Sequence, residues 1–178
     1  MAGLVTPTTP TLAIFAGLPG SGKTALAQPL AAVRGWAYLN RDEIRAQRFM
    51  NLGPEAWKPV ANAAVEAAAR EALAAGRSVV VDGATFAAGA LRERFARAAA
   101  DQGAHFVTVW VDCPVEEAIR RVARSNATHP APGERDAARV REVAARFEPP
   151  SDAIRLDAMQ PLPDLRAALL AALDARSI

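Results

Sequence analysis

Eight consecutive residues, Gly17-Leu18-Pro19-Gly20-Ser21-Gly22-Lys23-Thr24, fill every fixed position of the pattern G-x-x-x-x-G-K-[ST]. Each fixed position has a chemical reason. Glycines let the backbone turn tightly and aim several N–H groups at one anion. A lysine can reach the β- and γ-phosphates of ATP, and a threonine hydroxyl can ligate Mg²⁺. The flanks agree. Thr11–Ala16 (TLAIFA) is an apolar strand, and Thr24–Arg34 has a helix composition. The N-terminal dipole of that helix adds positive potential where phosphate would sit. A chance match in a structural strand–turn–helix would not require this context. All eight residues are therefore candidate ATP contacts, with Lys23 also catalytic and Thr24 also a metal ligand.

A phosphate loop does not say what receives the phosphate. Leu39-Asn40-Arg41-Asp42-Glu43-Ile44-Arg45 follows the next expected strand. Residues just beyond the carboxyl end of a parallel strand face the ligand crevice. Asp42 there can orient an acceptor hydroxyl and take its proton. It can equally cap the following helix, as aspartate often does. Capping alone leaves the neighbouring Arg41 and Arg45 unaccounted for, and both are candidate acceptor contacts.

Val79-Val80-Val81-Asp82 is an apolar run ending in a carboxylate. After a phosphate loop, this pattern suggests an aspartate that holds Mg²⁺ through water, or that tethers Thr24 or an arginine. Thr85, in the loop that follows, is a candidate substrate contact. Arg120 and Arg124 are four apart and share a helical face. Either they form a solvated basic surface, or they lie on a lid that closes over ATP, with Arg124 catalytic and both binding its phosphates.

Other conspicuous residues have plainer readings. Cys113, the single cysteine, reads as a packing residue and cannot form an internal disulfide. One cysteine with His105 and His129 makes no zinc set. Trp36, Trp57 and Trp110 are too scattered for a base-stacking platform.

The elements that must position these groups alternate in type. Strands are expected at Thr11–Ala16, Trp36–Leu39, Arg77–Val81, His105–Val111 and Asp152–Leu156. Helices are expected at Thr24–Arg34, where Pro29 should kink the helix or end its regular hydrogen bonding, and at Asp42–Phe49, Pro54–Ala75 and Ala87–Gln102. Three more follow: one from Pro114, one over Glu134–Phe147 and one over Leu165–Ala175. The economical solution is an α/β fold with parallel strands and helical crossovers.

The chain has 178 residues, half of them hydrophobic, with a net charge of +2. That suits one domain, residues 11–178, behind a flexible tail of residues 1–10, with a lid around residues 114–147. So mild a charge does not demand a nucleic-acid partner. No stretch reaches the ~20 apolar residues of a membrane span. A cytoplasmic protein without a membrane partner is expected.

With those residues in hand, the chain resembles bacterial P-loop kinases related to the 5′-kinase domain of polynucleotide kinase. It is also similar to small kinases grouped as AAA-family ATP-binding proteins. GLPGSGKT, LNRDEIR, GRSVVVDGATF, VDCPVEEAIRRVAR and RFEPP carry the likeness, from Leu12 to about Pro163. The resemblance implies a P-loop kinase fold with strand order 2-3-1-4-5 and ATP with Mg²⁺ as cofactors. It also implies Asp42 as general base, Arg45 on an acceptor phosphate and Arg124 as lid arginine.

Three functions remain open at this stage. The first is phosphorylation of a 5′-hydroxyl end of DNA or RNA, the reading that Asn40-Arg41-Asp42 favours. The second is phosphorylation of a small hydroxylated metabolite, nucleotide sugar or antibiotic. The third is an ATPase or nucleotide switch that uses water.

Overall fold

The structure, a computed structural model, describes residues 9–49, 51–125, 136–176 and 178. Residues 1–8 of the expected tail, His129 and nearly all of the expected lid loop lie outside these. Five strands form one parallel sheet: β1 (Thr11–Ala16), β2 (Ala37–Asn40), β3 (Val79–Asp82), β4 (His105–Asp112) and β5 (Ala153–Asp157). Their order is β2-β3-β1-β4-β5, as the resemblance implied. Seven helices accompany them among the described residues: α1 (Lys23–Arg34), α2 (Arg41–Arg48), α3 (Pro54–Ala74), α4 (Gly89–Ala100), α5 (Val115–Ser125), α6 (Ala137–Ala145) and α7 (Leu162–Ala175).

The central strands read as unbroken apolar runs because both faces are covered. Ala13 and Phe15 of β1 join Val80 in the core beneath α1, α5, α6 and α7. Leu12, Ile14 and Ala16 point the other way, with Val79 and Val81, towards α3 and α4. Alternation within one strand thus feeds two cores. Burying a side chain such as Phe15, fully enclosed here, contributes about 1.5–3 kcal/mol.

Pro29 ends the regular hydrogen bonding of α1, as expected, but not the helix. The helix runs on to Arg34 and stops at Gly35, which is left-handed with φ 64°. A proline leaves the carbonyl four residues earlier without its helical donor. That carbonyl belongs to Ala25, and Arg166 of α7 donates to it from Nε at 3.3 Å and Nη2 at 3.1 Å. The neighbouring helix replaces the missing bond, so the interruption costs little.

Each chemistry-bearing segment lies at the carboxyl end of a strand. β1 leads into the glycine-rich loop, β2 into Arg41 and Asp42, and β3 into Gly83–Thr85. Asn40 and Asp82 are register partners, which aligns the last two of these ends.

Candidate active site

The glycine-rich loop is held from several directions. The Gly17 N–H donates to the Thr85 carbonyl at 3.0 Å, joining the loop to the segment after β3. A Cβ on Gly17 would lie 2.6 Å from the Val111 carbonyl, and one on Gly20 would lie 2.5 Å from that of Ala118. Both glycines have positive φ, so side chains are excluded by space and by conformation. Lys23 Nζ donates to the carbonyls of Gly17 and Leu18, at 3.0 and 2.8 Å. The fold therefore presents the compact backbone turn that phosphate binding requires.

Thr24 Oγ1 donates to Asp82 Oδ2 at 2.6 Å, and the Tyr38 hydroxyl donates to the same oxygen at 2.9 Å. Asn40 Nδ2 donates in turn to the Tyr38 oxygen at 3.1 Å. Asp82 is fully buried, and its Oδ1 has no hydrogen-bond partner. A buried carboxylate oxygen left unpaired is costly unless something else satisfies it. Beside a threonine hydroxyl, this hard oxygen set suits Mg²⁺ and its retained waters. Thr24 and Asp82 would be the groups that hold it. Burial, and secondarily the charge of Asp82, push the Tyr38 hydroxyl well above its ordinary value.

Asp42 is not the cap of α2. Asn40 fills that position, its Oδ1 accepting from the N–H groups of Asp42 at 2.9 Å and Glu43 at 3.3 Å. Asp42 stands in the first turn, with its carboxylate free of capping duty and facing a cavity of about 570 Å³. Gly83 makes this approach possible. Its φ is +78°, and a Cβ there would fall 2.3 Å from Asn40 Oδ1 and within 2.9 Å of the first α2 amides.

The same cavity is lined by Gly20, Gly22, Lys23, Thr24 and Asp82, and by Arg41 and Thr85. The structure thus gathers most of the residues singled out from sequence. Gly17, Leu18 and Ser21 of the glycine-rich loop do not line the cavity, and three charged residues lie elsewhere. Arg45 stacks on Trp57, with its guanidinium 4.1 Å from the ring centroid, and it does not line the cavity. Arg120 and Arg124 are exposed on α5, and Arg120 pairs with Glu117 at 2.7 Å.

Helix periodicity explains the α5 result. Ala118 and Val122 are its buried residues. The stripe that continues them at helical spacing contains Arg121 and Ser125, not Arg120 and Arg124. Arg121 and Ser125 are the α5 residues that line the cavity. Arg121 donates to the Ser21 carbonyl at 3.4 Å, to the Ala158 carbonyl at 2.8 Å and to Glu117 at 2.7 Å. The burial of Ala118 and Val122 was readable as an apolar i, i+4 pair, so sequence could have revealed Arg121.

Trp57, Lys58 and Arg139 also line the cavity, and no local pattern marked them. They come from α3 and α6, distant in sequence from the loop. Cys113 is buried in the core, where desolvation pushes its thiol up, as a packing residue requires. Among the described residues, no cluster of histidine, cysteine or acidic side chains forms a metal site of its own. Nor is any helix long and apolar enough to cross a membrane.

This combination of loop, strand order and crevice has relatives. The profile of the AAA domain family matches residues 12–150. The chain belongs to that family. No curated protein matches this AAA domain. Several solved structures share its fold. The APS kinase of Mycobacterium tuberculosis, in complex with AMPPNP and APS, is 22% identical with a TM-score of 0.71, covering 94% of this chain and 99% of that one. A gluconokinase from Sinorhizobium meliloti 1021 is 18% identical with a TM-score of 0.69, covering 94% and 93%. A sugar kinase from Janibacter sp. HTCC2649 is 21% identical with a TM-score of 0.69, covering 93% and 95%. At these identities the likeness establishes the architecture. This AAA domain has the fold of P-loop kinases.

Proposed function

We propose that this protein transfers the γ-phosphoryl group of ATP to a hydroxyl of a small acceptor. The observation that carries the reading is Asp42. Its carboxylate faces the same cavity as Lys23, Thr24 and Asp82, and Asn40 has taken over the capping role.

Phosphoryl transfer needs little covalent participation by protein, so positioning and charge dominate. Glycine-loop amides, Lys23 and Arg121 hold the ATP phosphates. Asp42 accepts the acceptor's O–H proton as the new oxygen–phosphorus bond forms. The bond from the γ-phosphorus to the bridging oxygen breaks, and ADP leaves with that oxygen. Thr24 and Asp82 would hold Mg²⁺, which would supply neutralisation of phosphate charge.

The structural neighbourhood favours a small acceptor over a 5′-hydroxyl nucleic-acid end. The structural neighbours include proteins named for gluconate, APS and sugar phosphorylation. The Asn40-Arg41-Asp42 form, which favoured a nucleic acid, loses weight because Asn40 has a structural task of its own.

Label transfer from γ-labelled ATP tests the reading on a panel of sugars, sugar acids, nucleosides, aminoglycosides and 5′-hydroxyl oligonucleotides. A labelled small product is expected. Asp42→Asn should retain AMPPNP binding and lose about 10²–10⁴-fold in transfer. Label released only to water, with Asp42→Asn as active as the parent, would replace the kinase with an ATPase.

A further inference from the structure

The cavity carries more positive charge than ATP handling uses. Lys23, Arg41, Lys58, Arg121 and Arg139 line it, against the carboxylates Asp42 and Asp82. Lys23 and Arg121 are engaged with the glycine-rich loop. Arg41, Lys58 and Arg139 belong to α2, α3 and α6, three separate helices that converge beside Asp42.

Arg41 is costly where it stands. It occupies the first position of α2, at the positive end of the helix dipole, where a cation is disfavoured. Its side chain is mostly buried, and its Nε has no hydrogen-bond partner. Its contact with Asp42 is long, at 3.3 Å. Burial lowers its pKa despite the opposing charge and hydrogen bond of Asp42, and the weaker fields of Arg139 and Arg45 add to the lowering. Trp57 lies under it, with the guanidinium 5.1 Å from the ring centroid. Trp57 is only 2% exposed, and its Nε1–H is likewise unpartnered. Two buried donors without acceptors therefore sit in one wall of the cavity. Both are unexplained by folding, which would favour satisfied or apolar groups there.

We propose that Arg41, Arg139 and Lys58, around Trp57, form an anion subsite, so that the acceptor is a small hydroxylated anion bearing a phosphate, sulfate or carboxylate group. The anion offers acceptor oxygens to the Arg41 Nε–H and Trp57 Nε1–H and offsets the repulsion between Arg41 and Arg139. It also fixes the acceptor so that its hydroxyl faces Asp42. Arg139 already donates two 2.7 Å bonds from Nη1 to the exposed Glu142 carboxylate, so it is held ready to grip a second set of oxygens. The inference rests on the acceptor reading of Asp42.

Two measurements separate this inference from the kinase reading. In the first, inorganic phosphate is titrated by calorimetry into protein already saturated with Mg²⁺ and AMPPNP, so that the glycine-rich loop is occupied. Phosphate should bind, and Arg139→Ala should weaken it ~10-fold or more, the value of one charge-assisted hydrogen bond. Arg41→Lys, which keeps a charge in the buried position, should weaken it too. No phosphate binding, or equal binding in parent and Arg139→Ala, overturns the subsite whether or not the protein is a kinase.

The second measurement compares neutral and anionic acceptors in pairs: glucose with gluconate, and ribose with ribose 5-phosphate. The anionic member should have the higher kcat/KM, and Arg139→Ala should raise its KM while changing kcat little. Neutral members used as well as anionic ones would sink the inference and leave the kinase standing. Phosphate binding with no transfer to any acceptor would retain the subsite and remove the kinase. Better turnover of a 5′-hydroxyl oligonucleotide than of either pair would overturn the small acceptor.

Discussion

The two halves of the cavity are built on different principles. The half proposed to hold nucleotide is a backbone device. It is formed by one short loop, and neighbouring carbonyls leave no space for Cβ atoms at Gly17 and Gly20. The acceptor half is a side-chain device. Arg41, Trp57, Lys58, Thr85 and Arg139 reach it from four segments, and buried donors remain unsatisfied. A backbone cradle suits a ligand that many proteins share, because phosphate needs only inward amides and charge. Specificity for one acceptor needs donors placed individually, and side chains on separate helices can change independently.

The largest expected effect tests the nucleotide half. Lys23→Ala removes the one lysine that the loop aims at phosphate. Turnover should fall ~10²-fold or more, the cost of deleting an electrostatic donor at a developing charge. Thermal stability should change less than turnover, because the hydrogen bonds of the lysine to Gly17 and Leu18 stay within its own loop. A variant with parental turnover would remove the phosphate role of this half.

Gly83→Ala blurs the distinction between the halves. Gly83 is a backbone device in the acceptor half. A methyl group would meet Asn40 Oδ1 and the first amides of α2, at φ +78°. The variant should lose about 1–3 kcal/mol of stability, from strain in a left-handed backbone with no room to relax. Because α2 would be pushed away, the acceptor KM should rise more than the affinity for AMPPNP falls. Equal loss in both would mean that the two halves move as one body.

The same contrast explains what could be read from sequence. The glycine-rich loop, the strand positions and Asp82 were legible because each is local: a contiguous motif, a run of apolar residues, a carboxylate at a strand end; the strand order came from the resemblance. Asp42 was legible as chemistry but ambiguous as structure, since only the fold shows Asn40 taking the cap. The compensation for Pro29 was not legible, because the donor that rescues Ala25 lies on α7, 141 residues away in sequence. Trp57 and Arg139 were invisible for the same reason. Arg120 and Arg124 stand out by their spacing and by the resemblance, whereas the apolar stripe that orients α5 turns Arg121 towards the cavity.

That last point yields a smaller, sharper test. Arg121→Ala should raise the KM for ATP, because Arg121 ties α5 to Ser21 and Ala158 beside the loop. The expected factor is ~10, for one or two hydrogen bonds from a charged donor. Arg120→Ala removes a surface pair and should stay within about twofold of the parent. Arg124→Ala, one residue off the same stripe, should resemble Arg120→Ala. A large kcat loss in Arg124→Ala would instead make it the lid arginine that the resemblance implied.

The smallest effect concerns the boundary between the halves. Tyr38, the chain's single tyrosine, links the two through Asn40 and Asp82. Tyr38→Phe deletes one donor to the Asp82 carboxylate and leaves Thr24 in place. The Mg²⁺ concentration for half-maximal turnover should shift about 3–10-fold, the lower end for a hydrogen bond to a charged group, because Thr24 still donates to the same oxygen. The sole tyrosine also makes the link visible by absorbance. In the native protein, tyrosinate should form only above the ordinary value of 10.0, because burial and the Asp82 charge favour the protonated hydroxyl. The fold therefore gains stability from Tyr38 below pH 10.0 and loses it as pH rises towards the native midpoint. Asp82→Asn should bring that midpoint down, although burial would keep it above the free value. A midpoint unchanged by Asp82→Asn would sever the link between metal carboxylate and acceptor helix, and the two halves would then be independent.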